Sequence, residues 1–359
     1  MIEKLDNIHY SFRTIDGHNK PFNIIISSRD AGKTTILWVR KVYDNWKKNH
    51  KPWLYLVRNA NEIVEPLLDD IILPINKFRD EDAKFIYQRG DLESGIMDIY
   101  LKDEDKEYLF IRILALSCKL RRIKLSKIKN IAGVCMDEYI IDPTSGEKYL
   151  KGEEMKIKEI YTTYERECEE TMKMYFLGNP YSLFNPLFMW LNVDVSKLHE
   201  GVIQTGNQYA VECYKLTDEL KAYILNKNPL YKFDESYKLY AFDGKAVNDM
   251  NIRLGGLPKN YLLKFIVRIN KINIGIFQNN SPTYSSDRFY CKEVKTFAAS
   301  RDIITFDFTD IIDRSILISL DEKRKLAYFK DSFRRRNVVF SNINIYYLIE
   351  EIYYNLWVI

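Results

Sequence analysis

The feature that most constrains this chain is a short apolar run that leads into a polar loop and then into Gly-Lys-Thr. Residues 22–26 read Phe-Asn-Ile-Ile-Ile, which is typical of a strand buried on both faces in a parallel sheet. Apolar residues recur at helical spacing from Ile36 to Trp46, which predicts a helix directly after Lys33. A strand, a tight loop and a helix opened by Gly-Lys-Thr together indicate a loop that binds phosphate groups.

In such a loop, backbone N–H groups and the positive end of the helix dipole converge on phosphate oxygens. Lys33 is predicted to reach the β- and γ-phosphates of a nucleotide, and the Thr34 hydroxyl to ligate Mg²⁺. Two positions depart from the usual pattern, because Ser27 replaces its first glycine and Asp30 puts an anion into an anion-binding loop. The predicted nucleotide-binding residues, called the Gly-Lys-Thr loop below, are Ser27, Ser28, Arg29, Asp30, Ala31, Gly32, Lys33, Thr34 and Thr35.

Composition limits the class of protein. With 359 residues, the chain is long enough for two domains, and its 46% hydrophobic and 29% charged residues are ordinary for a globular protein. Its apolar runs are shorter than the roughly 18 residues of a membrane helix, and its N-terminus lacks the features of a signal peptide. Five widely spaced cysteines without a C-x-x-C pair argue against a disulfide framework or a zinc site. We therefore expect a cytoplasmic protein without a membrane partner.

A second apolar run, at residues 131–136, ends in the adjacent carboxylates Asp137 and Glu138. Asp137 is predicted to hold Mg²⁺ through a water molecule, with the Thr34 hydroxyl completing the shell of the metal. Glu138 is predicted to polarise the water that attacks the γ-phosphate, because hydrolysis needs a positioned base beside the metal. Taken alone, the same pattern fits a buried strand that ends in an acidic turn; the upstream Gly-Lys-Thr favours the catalytic interpretation.

Two further features leave alternatives open. Asn179 follows another apolar run and is predicted to contact the γ-phosphate and the attacking water; the alternative is a simple Asn-Pro turn. The aromatic group at residues 9–12 (His-Tyr-Ser-Phe) precedes the first strand, where ordinary packing is favoured over stacking on a nucleotide base. The net charge of +4 is too small to indicate nucleic-acid binding by itself.

Together, these stretches resemble the DNA-packaging ATPases of small podoviruses, which are related to the large terminase subunits. The resemblance implies an α/β P-loop ATPase of the class with an additional catalytic Glu. It implies a domain at residues 1–207, a linker or lid at 208–260, and a smaller α+β domain at 261–359 with an RNase H-like fold. The resembling stretches are residues 23–35, 53–58, 134–139 and 176–179, Asn185-Pro186 and the helical C-terminus.

In the C-terminal domain, the candidate first strand is 263–268 or 272–277. Neither contains the Asp or Glu that a two-metal nuclease requires. We therefore expect a vestigial nuclease domain that binds RNA, DNA or capsid.

The resemblance also assigns roles to single residues. Arg29 is expected to sense the γ-phosphate, while Lys124 and Arg166 are expected to act in trans on the ATP of a neighbouring subunit. Asp30 stands where the nearest relatives have Gly, which leaves its role unexplained by the sequence.

The implied function is that of an ATP-driven motor that hydrolyses ATP with Mg²⁺ at the interfaces of a homo-oligomeric ring, expected to be a pentamer. The ring would move double-stranded viral DNA through a portal into a procapsid in the host cytoplasm, assisted by a structural packaging RNA. One alternative is a terminase large subunit with an active nuclease domain. The other is a non-catalytic nucleic-acid-binding scaffold that keeps only the look of a P-loop.

Overall fold

The computed structural model divides the chain into two compact units, Met1–Val247 and Asn248–Ile359. No helix among the described residues is long and apolar enough to cross a membrane. The structure describes residues 9–79, 85–89, 95–103, 106–119, 121, 128–142, 147–181, 185–227, 253–269, 272–280, 288–295, 303–305, 312, 315–335 and 337–353.

The described strands of the first unit form one sheet with the order β3-β4-β5-β2-β6-β7-β1-β9-β8. The strands β5, β2, β6, β7, β1 and β9 pair in parallel, and antiparallel hairpins flank them on both edges. The strands are β1 Phe22–Ile26, β2 Trp53–Val57, β3 Phe85–Arg89, β4 Ile96–Asp103, β5 Lys106–Ala115, β6 Gly133–Met136, β7 Met174–Gly178, β8 Ile203–Thr205 and β9 Tyr209–Cys213.

Helices connect these strands, as parallel pairing requires. A π-helical segment, Leu37–Tyr43, joins the first two helices after β1 into one continuous helical run, and 3₁₀ turns occur at Ala60–Glu62 and Val195–Lys197. The helices of this unit are α1 Arg13–Gly17, α2 Lys33–Ile36, α3 Asp44–Asn49, α4 Glu65–Arg79, α5 Glu153–Glu165, α6 Pro186–Leu191 and α7 Asp218–Lys227.

The five strands at the centre of the first sheet are buried along their whole length. Every residue of β1, β2, β6, β7 and β9 is buried. This explains why these segments read as continuous apolar runs, because a parallel strand with helices over both faces has no solvent side. In the sheet order, β7 lies between β1 and β6, so the loops that follow these three strands lie next to one another.

The second unit contains a sheet with the order β10-β16-β13-β12-β11-β14-β15 among the described strands. The strands β11, β12 and β13 form an antiparallel meander, and β14 and β15 then run parallel to β11. The elements are β10 Arg253–Leu254, β11 Tyr261–Ile269, β12 Ile272–Asn279, β13 Phe289–Glu293, β14 Ile303–Thr305, β15 Ser315–Leu317, β16 Val338–Phe340, α8 Leu320–Lys325, α9 Ala327–Arg334 and α10 Ile343–Glu351.

The first unit continues past the expected domain boundary at residue 207. The segment 208–260 was predicted to be a linker or lid, but β9 pairs in parallel with β1 over its five residues and belongs to the first sheet. Helix α7 also lies within the first unit, whereas β10 pairs with β16 of the second. The division falls between Val247 and Asn248. Sequence reasoning underestimated the length of the first unit, because β9 follows the last recognised motif and contains no motif that would assign it to this unit.

Candidate active site

The Gly-Lys-Thr loop joins the carboxyl end of β1 to α2. Gly32 caps α2 in the left-handed conformation with φ of +80°, and a Cβ atom placed on it would lie 2.8 Å from His9 Cδ2. Only glycine meets both conditions, because it has no Cβ and adopts positive φ without strain. Asp30 also has a positive φ, +61°. Aspartate is among the few other residues that adopt this conformation, which explains how it can replace the glycine of the resembling family.

Lys33 is buried, and its ammonium group holds the loop together. Its Nζ donates to Ser27 O at 3.1 Å, to Ser27 Oγ at 2.8 Å and to Ser28 O at 3.3 Å. The serine at the position of the usual first glycine therefore supplies an additional acceptor for the lysine. Burial lowers the pKa of Lys33 to about 8, because the charged form loses hydration; the carboxylates of Asp137, Glu138 and Asp30 oppose this shift.

The loop contacts the predicted catalytic segments directly. Thr34 Oγ1 donates to Asp137 Oδ2 at 2.5 Å, and Lys33 Nζ donates to Asn179 Oδ1 at 3.1 Å. These contacts join the loops after β1, β6 and β7 at one edge of the sheet. The structure thus brings together four residues that sequence reasoning placed in one site.

Glu138 follows Asp137 in the left-handed conformation, with φ of +51°. Its backbone N–H donates to Asp137 Oδ1 at 2.9 Å. A non-glycine residue in this region carries strain of about 1–3 kcal/mol, and such strain concentrates at functional sites. Burial raises the pKa of Glu138, and the negative charge of the neighbouring Asp137 raises it further. The positive charges of Arg29 and Lys33 oppose this shift. Burial also raises the pKa of Asp137, against the Thr34 hydrogen bond and Lys33.

Arg29 interacts with a residue that sequence reasoning missed. Its Nε donates to the Tyr181 hydroxyl at 2.9 Å and a terminal nitrogen donates to the same oxygen at 2.5 Å. Asn179 Nδ2 also donates to this hydroxyl, at 3.4 Å. Tyr181 thus links Arg29 to Asn179. Its position, two residues after Asn179 in the sequence, gives no signal of this role.

Arg58, at the carboxyl end of β2, forms a buried ion pair. Its Nε lies 3.0 Å from Glu153 Oε2, the two side chains are 6% and 0% exposed, and a terminal nitrogen donates to Tyr139 O at 2.8 Å. Burial lowers the pKa of Arg58, but the charge and hydrogen bonds of Glu153 outweigh it, so that the net shift is upward. Arg58 therefore fixes the backbone just after Glu138 against the start of α5.

Of the two residues predicted to act in trans, Arg166 lies away from this site. Arg166 is exposed at the C-terminus of α5. Tyr161, on the same helix, contacts Phe22 at the start of β1, and the carbonyl of Glu167 accepts from Asn130 N shortly before β6. Arg166 is thus near the amino ends of the strands, while the Gly-Lys-Thr loop is at the carboxyl end of β1. Lys124 lies outside the described residues.

An open cleft of about 1240 Å³ lies against this edge of the sheet. Among its lining residues are Gly32, Thr34, Thr35, Asp137 and Glu138. Residues of α4 and α7 complete its walls. Pockets for small molecules usually have volumes of about 300–1,000 Å³. The cleft is therefore large enough for a nucleotide.

No family model and no curated protein matches the chain. Solved structures that are similar over nearly its whole length include two packaging motors. The Phi-28 gp11 DNA packaging motor has a TM-score of 0.60 and 17% identity, covering 97% of this chain and 98% of that chain. The bacteriophage Phi-29 viral genome packaging motor assembly has a TM-score of 0.65 and 16% identity, covering 98% and 99%. This chain shares the fold of these two structures.

The shared fold confirms the α/β class predicted from the sequence. The similarity to both structures extends over both units. It therefore includes the sheet of the second unit as well as the sheet that carries the candidate site. The nuclease-like character of the second unit and the roles of the single site residues remain predictions.

Proposed function

We propose that this protein is an ATPase that drives double-stranded viral DNA into a procapsid as one subunit of a ring. The observation that carries the proposal is the contact of Thr34 with Asp137, together with that of Lys33 with Asn179. A loop with Gly-Lys-Thr alone is a weak signal. Its contact with a carboxylate and an amide from two other strands, on a fold shared with packaging motors, supports a working ATP site.

The donor atoms fit Mg²⁺, which prefers oxygen ligands and binds proteins through one or two carboxylates with substrate phosphates. The Thr34 hydroxyl and the Asp137 carboxylate provide such oxygens side by side. When bound there, Mg²⁺ would neutralise charge on the β- and γ-phosphate oxygens of ATP. Lys33 would exchange part of its contacts within the loop for those phosphates, since its Nζ already lies in the loop that would surround them.

Glu138 is proposed to orient the attacking water and to accept its proton on the carboxylate. Asn179 and Arg29 are proposed to contact the γ-phosphate. Their shared contact with Tyr181 offers a means of releasing Arg29 when the phosphate competes for its guanidinium group.

Arg166 is proposed to act on the ATP of a neighbouring subunit. The 13-residue helix α5 begins at Glu153, beside Arg58 at the carboxyl end of β2, and spans roughly 20 Å before Arg166. That distance is too great for Arg166 to reach the Gly-Lys-Thr loop of its own chain and supports a role in trans. Lys124 is proposed for the same interface on the resemblance alone. The ring, a homopentamer in this proposal, is formed by these interfaces.

The second unit is proposed to be a vestigial nuclease domain that binds RNA, DNA or capsid. Three antiparallel strands followed by two that run parallel to the first of them support an RNase H-like fold. No residue of β11 is an Asp or Glu, and the described residues contain no group of three His, Cys, Asp or Glu side chains that could hold a metal ion. These observations disfavour the active-nuclease alternative.

The partners in this proposal are double-stranded DNA, the portal of a procapsid and a structural packaging RNA, met in the host cytoplasm. The test is ATP turnover by the purified chain, with and without DNA and procapsids, measured beside its oligomeric state. Turnover stimulated by DNA and procapsids is expected. Absence of turnover under all these conditions would favour the non-catalytic scaffold, and metal-dependent DNA cutting would favour the active terminase.

A further inference from the structure

One wall of the cleft is formed by residues outside the Gly-Lys-Thr loop. His9 and three residues of α7, Tyr223, Ile224 and Lys227, line the same cleft as Thr34 and Asp137. The rings of His9 and Tyr223 lie 6.0 Å apart, edge to face, and Lys227 Nζ lies 5.6 Å from the centre of the Tyr223 ring. This wall therefore combines an aromatic face, a second ring and a cation.

The wall adjoins the point where the phosphates are proposed to bind. His9 packs against Gly32, the residue before Lys33, so closely that no Cβ atom fits between them. Helix α7 is anchored to the loop, since Leu220 and Ile224, together with Leu216 just before the helix, form a buried cluster with Ala31. Helix α7 is thus held at a fixed position beside the loop.

The other aromatic residues near this wall belong to the core. Tyr10 and Phe12 are 1% and 6% exposed, and the Tyr10 hydroxyl donates to Glu212. Trp38 and Tyr55 line the cleft but are buried edge to face against each other. Tyr223, in contrast, is 39% exposed. Tyr223 therefore offers exposed surface to a planar group.

We infer that His9, Tyr223 and Lys227 form the site for the base of the nucleoside triphosphate. A base is planar and uncharged, and it stacks favourably on an aromatic ring. Stacking on Tyr223 would bury the exposed ring and place the base beside His9, next to the loop that binds the phosphates. The inference rests on the proposed function, because it assumes that Lys33 and Thr34 hold the phosphates of the same ligand.

The test separates the base from the phosphates. The affinity of the full-length chain is measured by calorimetry for ATP and for inorganic tripolyphosphate, which has no base. Tyr223→Ala is expected to weaken ATP binding roughly tenfold, in the range for loss of one stacked base, and to leave tripolyphosphate binding unchanged. Tyr223→Phe keeps the ring and is expected to bind ATP as the wild type does.

Matched controls test the choice of wall. Phe78, on α4, lines the same cleft, and Phe78→Ala is expected to leave ATP binding unchanged. Lys227→Ala is expected to weaken ATP binding, whereas Lys221→Ala, on the same helix but outside the cleft, is not. The inference is overturned if Tyr223→Ala affects ATP and tripolyphosphate equally, or affects neither, or if Phe78→Ala causes the loss specific to ATP.

Failure of the inference can be told from failure of the proposed function. If the wild type binds both ligands and Tyr223→Ala leaves the affinity for ATP unchanged, only the base site is wrong. If the wild type binds neither ATP nor tripolyphosphate, the proposed ATPase function fails, and the base site fails with it.

Discussion

Thr34 Oγ1 donates a hydrogen bond to Asp137 Oδ2 at 2.5 Å, although 103 positions separate the two residues in the chain. This bond joins the loop after β1 to the end of β6, across the intervening strand β7. Lys33 makes the corresponding bond to Asn179, at the end of β7 itself. Three strands thus deliver an ammonium group, a hydroxyl, a carboxylate and an amide to one point. This convergence gives the first set of predictions.

Glu138→Gln is expected to retain ATP binding and to lower the rate of hydrolysis by a factor of about 10²–10⁴, the usual contribution of general acid–base catalysis. The amide keeps the size of the side chain but cannot accept the proton of the attacking water. Binding and turnover are measured separately on the same preparation. Glu154→Gln, on α5, serves as the control and should behave as the wild type. Normal turnover by Glu138→Gln would show that this glutamate is not the base.

Arg166→Ala subunits mixed with Glu138→Gln subunits are expected to recover part of the activity that each variant lacks alone. In a mixed ring, some interfaces combine an intact Glu138 from one subunit with an intact Arg166 from its neighbour. Mixing Glu138→Gln subunits with Lys33→Ala subunits gives the matched control. Each of these changes damages the ATP site of the subunit that carries it, and a neighbouring subunit cannot supply the missing group. Equal activities in the two mixtures, over a range of mixing ratios, would contradict a role of Arg166 in trans.

Asp30→Gly is expected to leave ATP affinity unchanged or higher, because glycine adopts the observed φ of +61° and brings no charge to the phosphates. Asp30→Val is expected to weaken ATP binding, since a β-branched residue is strained in this conformation. The affinities of both variants are compared by calorimetry, and Asp30→Asn separates charge from conformation. Wild-type affinity in Asp30→Val would mean that the loop does not need this backbone geometry.

Arg58→Met is expected to lower the free energy of unfolding by about 3–5 kcal/mol, because it leaves the fully buried carboxylate of Glu153 without its partner. The double variant Arg58→Met with Glu153→Gln should recover part of the loss. Unfolding in urea is followed by the fluorescence of the buried Trp38, Trp46 and Trp53.

The control for this ion pair is Glu169, whose pair with Lys51 is largely exposed at the glutamate. Glu169→Gln should change the free energy of unfolding by less than about 1 kcal/mol, as is usual for surface ion pairs. Similar losses from Arg58→Met and Glu169→Gln would contradict the importance assigned to burial.

The sequence by itself determined β1, β6 and β7 and the residues at their ends. A strand buried on both faces must be apolar throughout, so each of these strands reads as an uninterrupted run, and the polar residue that ends it is visible at once. Lys33, Thr34, Asp137 and Asn179 could therefore be assigned to one edge of a parallel sheet before any contact was known.

Only the tertiary structure decided what depends on contacts between distant residues or on backbone conformation. The position of β7 between β1 and β6, the pairing of β9 with β1, and the link from Arg29 through Tyr181 to Asn179 result from packing, which no local pattern encodes. The positive φ of Asp30 accounts for a residue that seemed out of place in an anion-binding loop. Ser27 likewise gained a role only when its hydroxyl was found beside Lys33, because a side chain's partner is set by the fold and not by its neighbours in sequence.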